Sequence, residues 1–145
     1  MIQVENIITI RNILKKKVHA ALERGRSVAH SELPKKDQEF IDKLVKVIEN
    51  NYQNSQLNRD KIASKMAVSD RQLQRKIKAL IDQNPMDMLR EYRLKKAAER
   101  LKDGYQVAQP SDEAGFKSPT HFSQCFKAHY GLTPKQYQQQ FKKNN

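Results

Sequence analysis

The spacing of apolar residues constrains the fold of this chain more than any other feature. Through most of its 145 residues, apolar side chains recur at intervals of three and four, and only four glycines and five prolines interrupt the sequence. This spacing places one apolar stripe along a helix, whereas a half-buried strand needs strict alternation. The pattern therefore predicts an all-α protein made of short amphipathic helices.

Breaks in the periodicity divide the chain into four segments. In order, we expect an N-terminal amphipathic helix with its linker, a first helix-turn-helix subdomain, a long linker helix and a second helix-turn-helix subdomain. Their boundaries are 1–36, 37–84, 85–103 and 104–145. Within them the spacing predicts helices over 37–51, 59–67, 70–81, 85–102, 107–115, 119–129 and 134–142.

The two pairs of short helices can be aligned as an internal repeat. Ile62-Ala63 falls over Pro110-Ser111, and Leu73 falls over Phe122, with one extra residue after the turn of the second pair. A linker helix of about 18 residues is a rod of about 27 Å. Recognition helices held about 34 Å apart would enter successive major-groove turns of one duplex. The repeat therefore predicts one chain that reads two neighbouring sites.

The charge balance indicates the chemical class of the partner. The chain carries 28 Lys and Arg against 16 Asp and Glu, a net charge of +12. This excess favours an anionic partner, either nucleic acid or an acidic membrane surface, and composition alone does not choose between them. The chain has no run of about 18 apolar residues, and its single cysteine, Cys125, cannot form an internal disulfide. We therefore expect a cytoplasmic protein.

Several short motifs occur in a fixed order along the chain. They are Ile62-Ala63, the run from Ser69 to Lys78, Arg93-Leu94 with Ala97-Ala98, the run from Gly115 to Lys127, and Gly131-Leu132-Thr133-Pro134 with Tyr137. With these motifs, residues 37–142 resemble the DNA-binding domain of the AraC/XylS family of bacterial transcription regulators. The resemblance implies two helix-turn-helix subdomains that bind double-stranded DNA, with no membrane partner.

The N-terminal segment has a resemblance of its own. Residues 4–16 resemble the end of a receiver domain and its exit helix, as in response regulators or hybrid sensor kinases with an AraC-type output domain. A receiver would need about 100 further residues. We therefore expect this chain to be the C-terminal output portion of a longer two-component regulator. A homodimer through the N-terminal helix or a missing upstream domain is a further expectation, and RNA polymerase is a candidate partner.

The outer arcs of the two expected recognition helices supply the candidate DNA contacts. Arginine can bind a guanine edge and glutamine an adenine edge, whereas lysine more often binds phosphate. The candidates in the first helix are Arg71, Gln74, Arg75 and Lys78. Those in the second are Thr120, His121, Gln124 and Lys127. The capping residues Ser69 and Ser118 are the expected phosphate contacts, because helix N-termini bind anions.

Two positions depart from the pattern of the family or of the repeat. Pro110-Ser111 stands where the family has an apolar residue followed by Ala, and proline inside a helix costs about 3 kcal/mol unless it lies in the first turn. We expect this helix to start near Gln109 or Pro110. The second subdomain would then be either distorted and mainly supportive, or shifted at its start and still able to dock on DNA. Ala67 stands where the repeat has Gly115, and a positive φ there would cost Ala on the order of 1 kcal/mol.

Other functional classes find less support in these residues. His121, Cys125 and His129 recur every four positions but drift around a helix, so a metal site is not expected. Cys125 and His129 lack an orienting carboxylate and a glycine-rich oxyanion turn, so we expect neither an enzyme nor a cofactor. Two alternatives stay open: a non-specific nucleic-acid-binding protein, and an interaction module that has lost specific DNA reading, which Pro110 would favour.

Overall fold

A computed structural model describes residues 34–143 of the chain. These residues form seven helices and no strand, which confirms the all-α prediction. The helices are α1 (Lys35–Asn51), α2 (Arg59–Lys65), α3 (Asp70–Ile81), α4 (Pro85–Lys102), α5 (Ala108–Glu113), α6 (Pro119–Tyr130) and α7 (Pro134–Lys143). The expected N-terminal helix, its receiver-like segment and the dimer contact expected from it lie outside the described residues.

Turn geometry sets the ends of the two shortest helices. α2 and α5 each stop two residues before the ends that the periodicity predicts, at Lys65 and Glu113. In both cases the chain soon adopts a positive φ, 57° at Ala67 and 90° at Gly115. A residue in this left-handed region cannot continue a right-handed helix, so the apolar pattern runs on past the helix itself.

The described residues divide into two compact units. The first contains residues 34–51 together with Leu57–Leu89, and the second contains Tyr52–Gln56 together with residues 90–143. The linker helix α4 therefore begins in the first unit and continues into the second.

The first unit has an aliphatic core. Fully buried side chains of α1 and α3 lie at a spacing of three or four residues, and α2 and the start of α4 contribute others. They include Ile41, Leu44, Ile48, Ile62, Leu73, Ile77 and Ile81, each 0% exposed. The burial of one stripe on α3 leaves its opposite arc facing solvent.

The second unit has an aromatic core. Phe122 and Phe126 of α6 are 0% exposed and pack beside Ala97 and Leu101 of α4. The Phe126 ring also meets the Tyr137 ring of α7 at a centroid distance of 5.2 Å, edge to face. Aromatic pairs of this kind stabilise a core beyond the area that they bury. These contacts orient α6 so that its polar arc faces outward.

Candidate nucleic-acid interface

The turn between α2 and α3 is closed by two backbone hydrogen bonds. The Ala67 amide donates to the Ser64 carbonyl at 3.0 Å, and the Val68 amide donates to the Ala63 carbonyl at 3.1 Å. The second bond requires the left-handed conformation at Ala67, where φ is 57°. The positive φ considered for this alanine is therefore present. It allows a tight turn in place of a longer loop.

Ser69 begins the first recognition helix, α3, with a complete capping box. The Ser69 Oγ accepts from the Gln72 amide at 3.1 Å, and the Gln72 Oε1 accepts from the Ser69 amide at 3.0 Å. Two helix-terminal amides are thereby satisfied within the protein. The Ser69 hydroxyl keeps its own proton for donation, since a hydroxyl both donates and accepts.

The candidate DNA contacts of α3 lie opposite its buried stripe. Arg71, Arg75 and Lys78 are exposed, and Gln74 is half-buried. The Lys78 Nζ lies 2.8 Å from Asp82 Oδ1, with the two side chains 72% and 58% exposed. An ion pair this exposed is worth little, so it offers weak competition to a phosphate. The structure therefore brings the first set of candidate residues to one surface.

Sequence reasoning did not identify the roles of Asp70, the first residue of α3, and Arg59, the first residue of α2. Asp70 Oδ1 accepts from the Arg59 Nε of α2 at 2.6 Å, and Asp70 Oδ2 accepts from the Gln74 Nε2 at 3.1 Å. Asp70 and Gln74 are four residues apart, and side chains at this spacing are neighbours on a helix, so their contact could have been predicted from the sequence. Arg59 lies on another helix, and no local pattern points to its contact.

Lys76 has the charge of its neighbour Arg75 but a different environment. Its Nζ lies 3.3 Å from Asp37 Oδ1 and 5.0 Å from the centroid of the Phe40 ring, both on α1. Adjacent residues on a helix point about 100° apart, so one basic residue can face solvent while the next packs inside its own domain. Charge alone therefore does not mark the candidate interface.

The turn of the second unit repeats the hydrogen bonds of the first. The Gly115 amide donates to the Asp112 carbonyl at 3.1 Å, and the Phe116 amide donates to the Ser111 carbonyl at 3.1 Å. The Ser118 Oγ then accepts from the His121 amide at 3.1 Å and caps α6. The repeat inferred from sequence is thus present in the backbone.

Pro110 is accommodated in the first turn of α5. The helix begins at Ala108, slightly earlier than expected, and its N-cap residue Val107 makes no side-chain capping bond. Proline is tolerated there because first-turn amides have no partner within the helix. Both Pro110 and Ser111 are buried, and the turn that follows keeps its hydrogen bonds. The shifted start is therefore observed, and docking of the second unit on DNA stays a prediction.

Gly115 is also the point of a close approach. A Cβ there would overlap the backbone carbonyl oxygen of Tyr52 and lie 3.0 Å from the Arg93 Nε. The Arg93 guanidinium donates to the carbonyls of Tyr52 at 2.9 Å and Asn54 at 2.8 Å. Burial lowers the pKa of Arg93 from its ordinary value. Arg93 therefore holds residues 52–56 against the turn that precedes α6.

The second recognition helix presents a less basic arc than the first. Its candidate contacts Thr120, His121, Gln124 and Lys127 are all exposed. The His121 ring centroid lies 6.0 Å from that of Phe116, and its Nε2 lies 3.7 Å from the half-buried Cys125 Sγ. Among residues 34–143, no group of three His, Cys, Asp or Glu side chains is arranged to hold a metal ion.

Within the same residues, no helix is both long and apolar enough to cross a membrane.

The fold and its turns define a class of protein, a double helix-turn-helix domain. A family model described as a helix-turn-helix domain matches residues 62–140, and the chain belongs to that family, the AraC/XylS-type DNA-binding domains of transcription regulators. Domains of this family bind DNA and are not enzymes, as the sequence analysis predicts for this domain.

The chain is similar to individual proteins of several kinds. The chain is 32% identical over 139 residues to histidine kinase P4 of Formosa agariphila. The aligned residues make up 92% of this chain but only 10% of that kinase. The chain is 29% identical to an AraC-type transcriptional regulator of Chromobacterium violaceum, at a TM-score of 0.66 over 74% of this chain and 96% of the other. The C-terminal domain of the response regulator yesN from Fusobacterium nucleatum is 27% identical, at a TM-score of 0.63 over 66% and 93%.

Proposed function

We propose that the chain is a sequence-specific, double-stranded DNA-binding transcription regulator and the output portion of a longer cytoplasmic two-component protein. One observation carries the proposal. Each unit contains the same hydrogen-bonded turn, followed by a serine-capped helix whose polar arc is solvent-exposed. Similarity to a histidine kinase and to a response-regulator C-terminal domain supports the output role.

In this proposal, phosphate contacts fix the register and base contacts supply the specificity. Ser69 and Ser118 each use the Oγ lone pair to cap a helix, which leaves the hydroxyl proton to donate to a phosphate. Lys78 and Lys127 stand further along their helices and would neutralise phosphates as exposed point charges.

Base reading would be divided unequally between the two helices. On α3, Arg71 and Arg75 can each bind a guanine edge bidentately. On α6, Thr120, His121 and Gln124 offer single or paired hydrogen bonds without a fixed charge. We infer that α3 discriminates more strongly among sequences and that α6 adds a second, weaker contact.

Selection of bound duplexes from a random library tests this function directly. We expect two enriched blocks about 10 base pairs apart, one for each recognition helix. A single block would mean that only one helix reads bases. Equal affinity for all duplexes with a steep salt dependence would favour the non-specific alternative, and no retained duplex at all would favour an interaction module.

Lys76 provides a matched control for the charge of α3. Arg71→Ala and Arg75→Ala each remove one positive charge from the outer arc, and Lys76→Ala removes one from the side that faces α1. We expect the two arginine variants to change which sites are enriched and Lys76→Ala to leave the enriched sequence unchanged. If all three variants alter selection alike, net charge explains the binding.

Two partners besides DNA belong to the same proposal. Dimerisation would arise from the N-terminal helix or from a domain upstream of it, and transcriptional output would involve contact with RNA polymerase. Sedimentation of the 145-residue chain tests whether the N-terminal helix causes dimerisation. A monomeric result would leave an upstream domain as the remaining source of dimerisation. Transcription with purified RNA polymerase on a template carrying the selected site tests the polymerase contact.

A further inference from the structure

The geometry points to Asp70 as a positioning residue that fixes the orientation of the Gln74 amide and thereby makes α3 select adenine over guanine. This inference rests on the proposed reading of bases by α3. Asp70 is the first residue of that helix, and its Oδ2 lies 3.1 Å from the Gln74 Nε2, one helical turn further on.

The chemistry of the pair allows only one orientation of the amide. A carboxylate can only accept hydrogen bonds, so the Gln74 group that faces it must be the amide nitrogen. One of the two N–H groups of Gln74 is then used by Asp70. The second N–H and the Oε1 acceptor are left for a ligand, in a fixed order along the amide.

Base recognition depends on this order. In the major groove, adenine presents the N7 acceptor beside the N6 donor, whereas guanine presents two acceptors, N7 and O6. A fixed amide that offers N–H beside Oε1 matches adenine and places its oxygen against the guanine O6. An amide free to rotate could place its second N–H there instead, which would reduce the discrimination.

Asp70 is itself held in place by a second contact. Its other oxygen, Oδ1, accepts from the Arg59 Nε at 2.6 Å, and the Asp70 side chain is 30% exposed. The guanidinium offsets the negative charge, which would otherwise repel the phosphates of a duplex. The carboxylate also lies in the first turn of α3, where the helix dipole favours an anion. Both of its oxygens are thus engaged.

The test measures affinity of the full chain for four duplexes that carry the selected α3 site and differ only at the base pair read by Gln74. The Gln74→Ala variant identifies that base pair as the position where discrimination is lost. We then expect Asp70→Asn to reduce the adenine-to-guanine preference there by roughly three- to tenfold, part of the discrimination that a bidentate contact supplies. Asparagine can keep its oxygen for the Arg59 Nε and turn its N–H group toward Gln74, so the Gln74 amide nitrogen is no longer held there.

Three further variants separate positioning from charge and from folding. Asp60→Asn removes the same charge from the first turn of α2, and we expect it to leave the preference unchanged. Asp70→Glu keeps the charge but moves the carboxylate by one methylene, and we expect it to weaken the preference while the thermal midpoint stays near that of the parent. In the double variant Asp70→Asn with Gln74→Ala, the preference should equal that of Gln74→Ala alone.

The outcomes distinguish this inference from the function on which it rests. If Gln74→Ala changes no base preference, reading by Gln74 is wrong and the role of Asp70 is wrong with it. If Gln74→Ala abolishes a preference that Asp70→Asn and Asp70→Glu both retain, DNA reading stands and the positioning role is overturned. If the Asp70 variants change the affinity by the same factor on all four duplexes, Asp70 acts only through its charge and the positioning role is likewise overturned.

Discussion

Replacing Gly115 with alanine tests whether the second turn depends on the close approach of residues 52–56. Gly115 has φ 90°, and the added Cβ would overlap the Tyr52 carbonyl oxygen. That oxygen is part of the backbone, so it cannot rotate away as the end of a flexible side chain could. It also accepts the hydrogen bond from the Arg93 Nε at 2.9 Å. The substitution therefore disturbs both a conformation and a contact.

The expected cost is the sum of two terms. An L-residue held at positive φ costs about 1 kcal/mol relative to glycine. Displacing the Tyr52 carbonyl weakens a hydrogen bond to a charged group, worth about 1.5–3 kcal/mol. We therefore expect Gly115→Ala to lower the free energy of unfolding of the second unit by about 3 kcal/mol. This is a large share of the roughly 5–15 kcal/mol that stabilises a typical domain.

Two other positions isolate the conformational term. Gly104 has φ 93° with no atom within 4 Å of an added Cβ, so Gly104→Ala should cost only about 1 kcal/mol. Ala67 occupies the equivalent turn of the first unit at φ 57° and is exposed, so Ala67→Gly should be neutral or stabilise by up to about 1 kcal/mol. Equal losses for Gly115→Ala and Gly104→Ala, in urea unfolding followed by far-UV circular dichroism, would refute the role assigned to the Tyr52 carbonyl.

Three further predictions concern α3 and α6. Arg75→Ala should cost about 1–3 kcal/mol of binding at one base position, whereas Lys78→Ala should weaken all duplexes alike and lower the salt slope by about 1, in titrations at several salt concentrations. Ser118→Ala should cost about 1 kcal/mol of stability and Ser118→Gly only a few tenths, by thermal unfolding. Burial raises the pKa of Tyr130 from 10.0 to about 12, which favours the neutral phenol in the folded state. The free energy of unfolding should therefore fall as pH rises from about 10 through about 12, and less steeply in Tyr130→Phe.

Features set by local chemistry were predictable from the sequence. The expected limits of α3 and α4 match the observed helices, because a serine cap begins one and Asn84-Pro85 begins the other. The arc of α3 followed from the same spacing, since residues opposite Leu73 and Ile77 must be exposed. Each of these predictions depends on residues within one or two helical turns, so a single sequence contains all the information.

Contacts between distant segments were not predictable. Arg59 meets Asp70 from another helix, and Arg93 reaches the carbonyls of Tyr52 and Asn54 across about 40 positions of sequence. Neither contact produces a pattern in the sequence. Every residue has a backbone carbonyl that could accept a hydrogen bond, and a basic chain has many arginines that could donate one. The contacts of Asp70 with Arg59 and Gln74 were not predicted.

The two recognition helices can also be compared by how their binding should respond to salt. Salt dependence follows the number of phosphates neutralised by cationic side chains, whereas contacts with base edges supply the specificity. Among the candidate contacts, one lysine on each helix is assigned to phosphate, Lys78 on α3 and Lys127 on α6, while Arg71 and Arg75 are assigned to bases. Raising the salt concentration should therefore weaken the contributions of the two helices by a similar factor, although α3 carries more positive charge. The net charge of +12 governs encounter with any duplex, and the placement of a few side chains on each helix governs which duplex is retained.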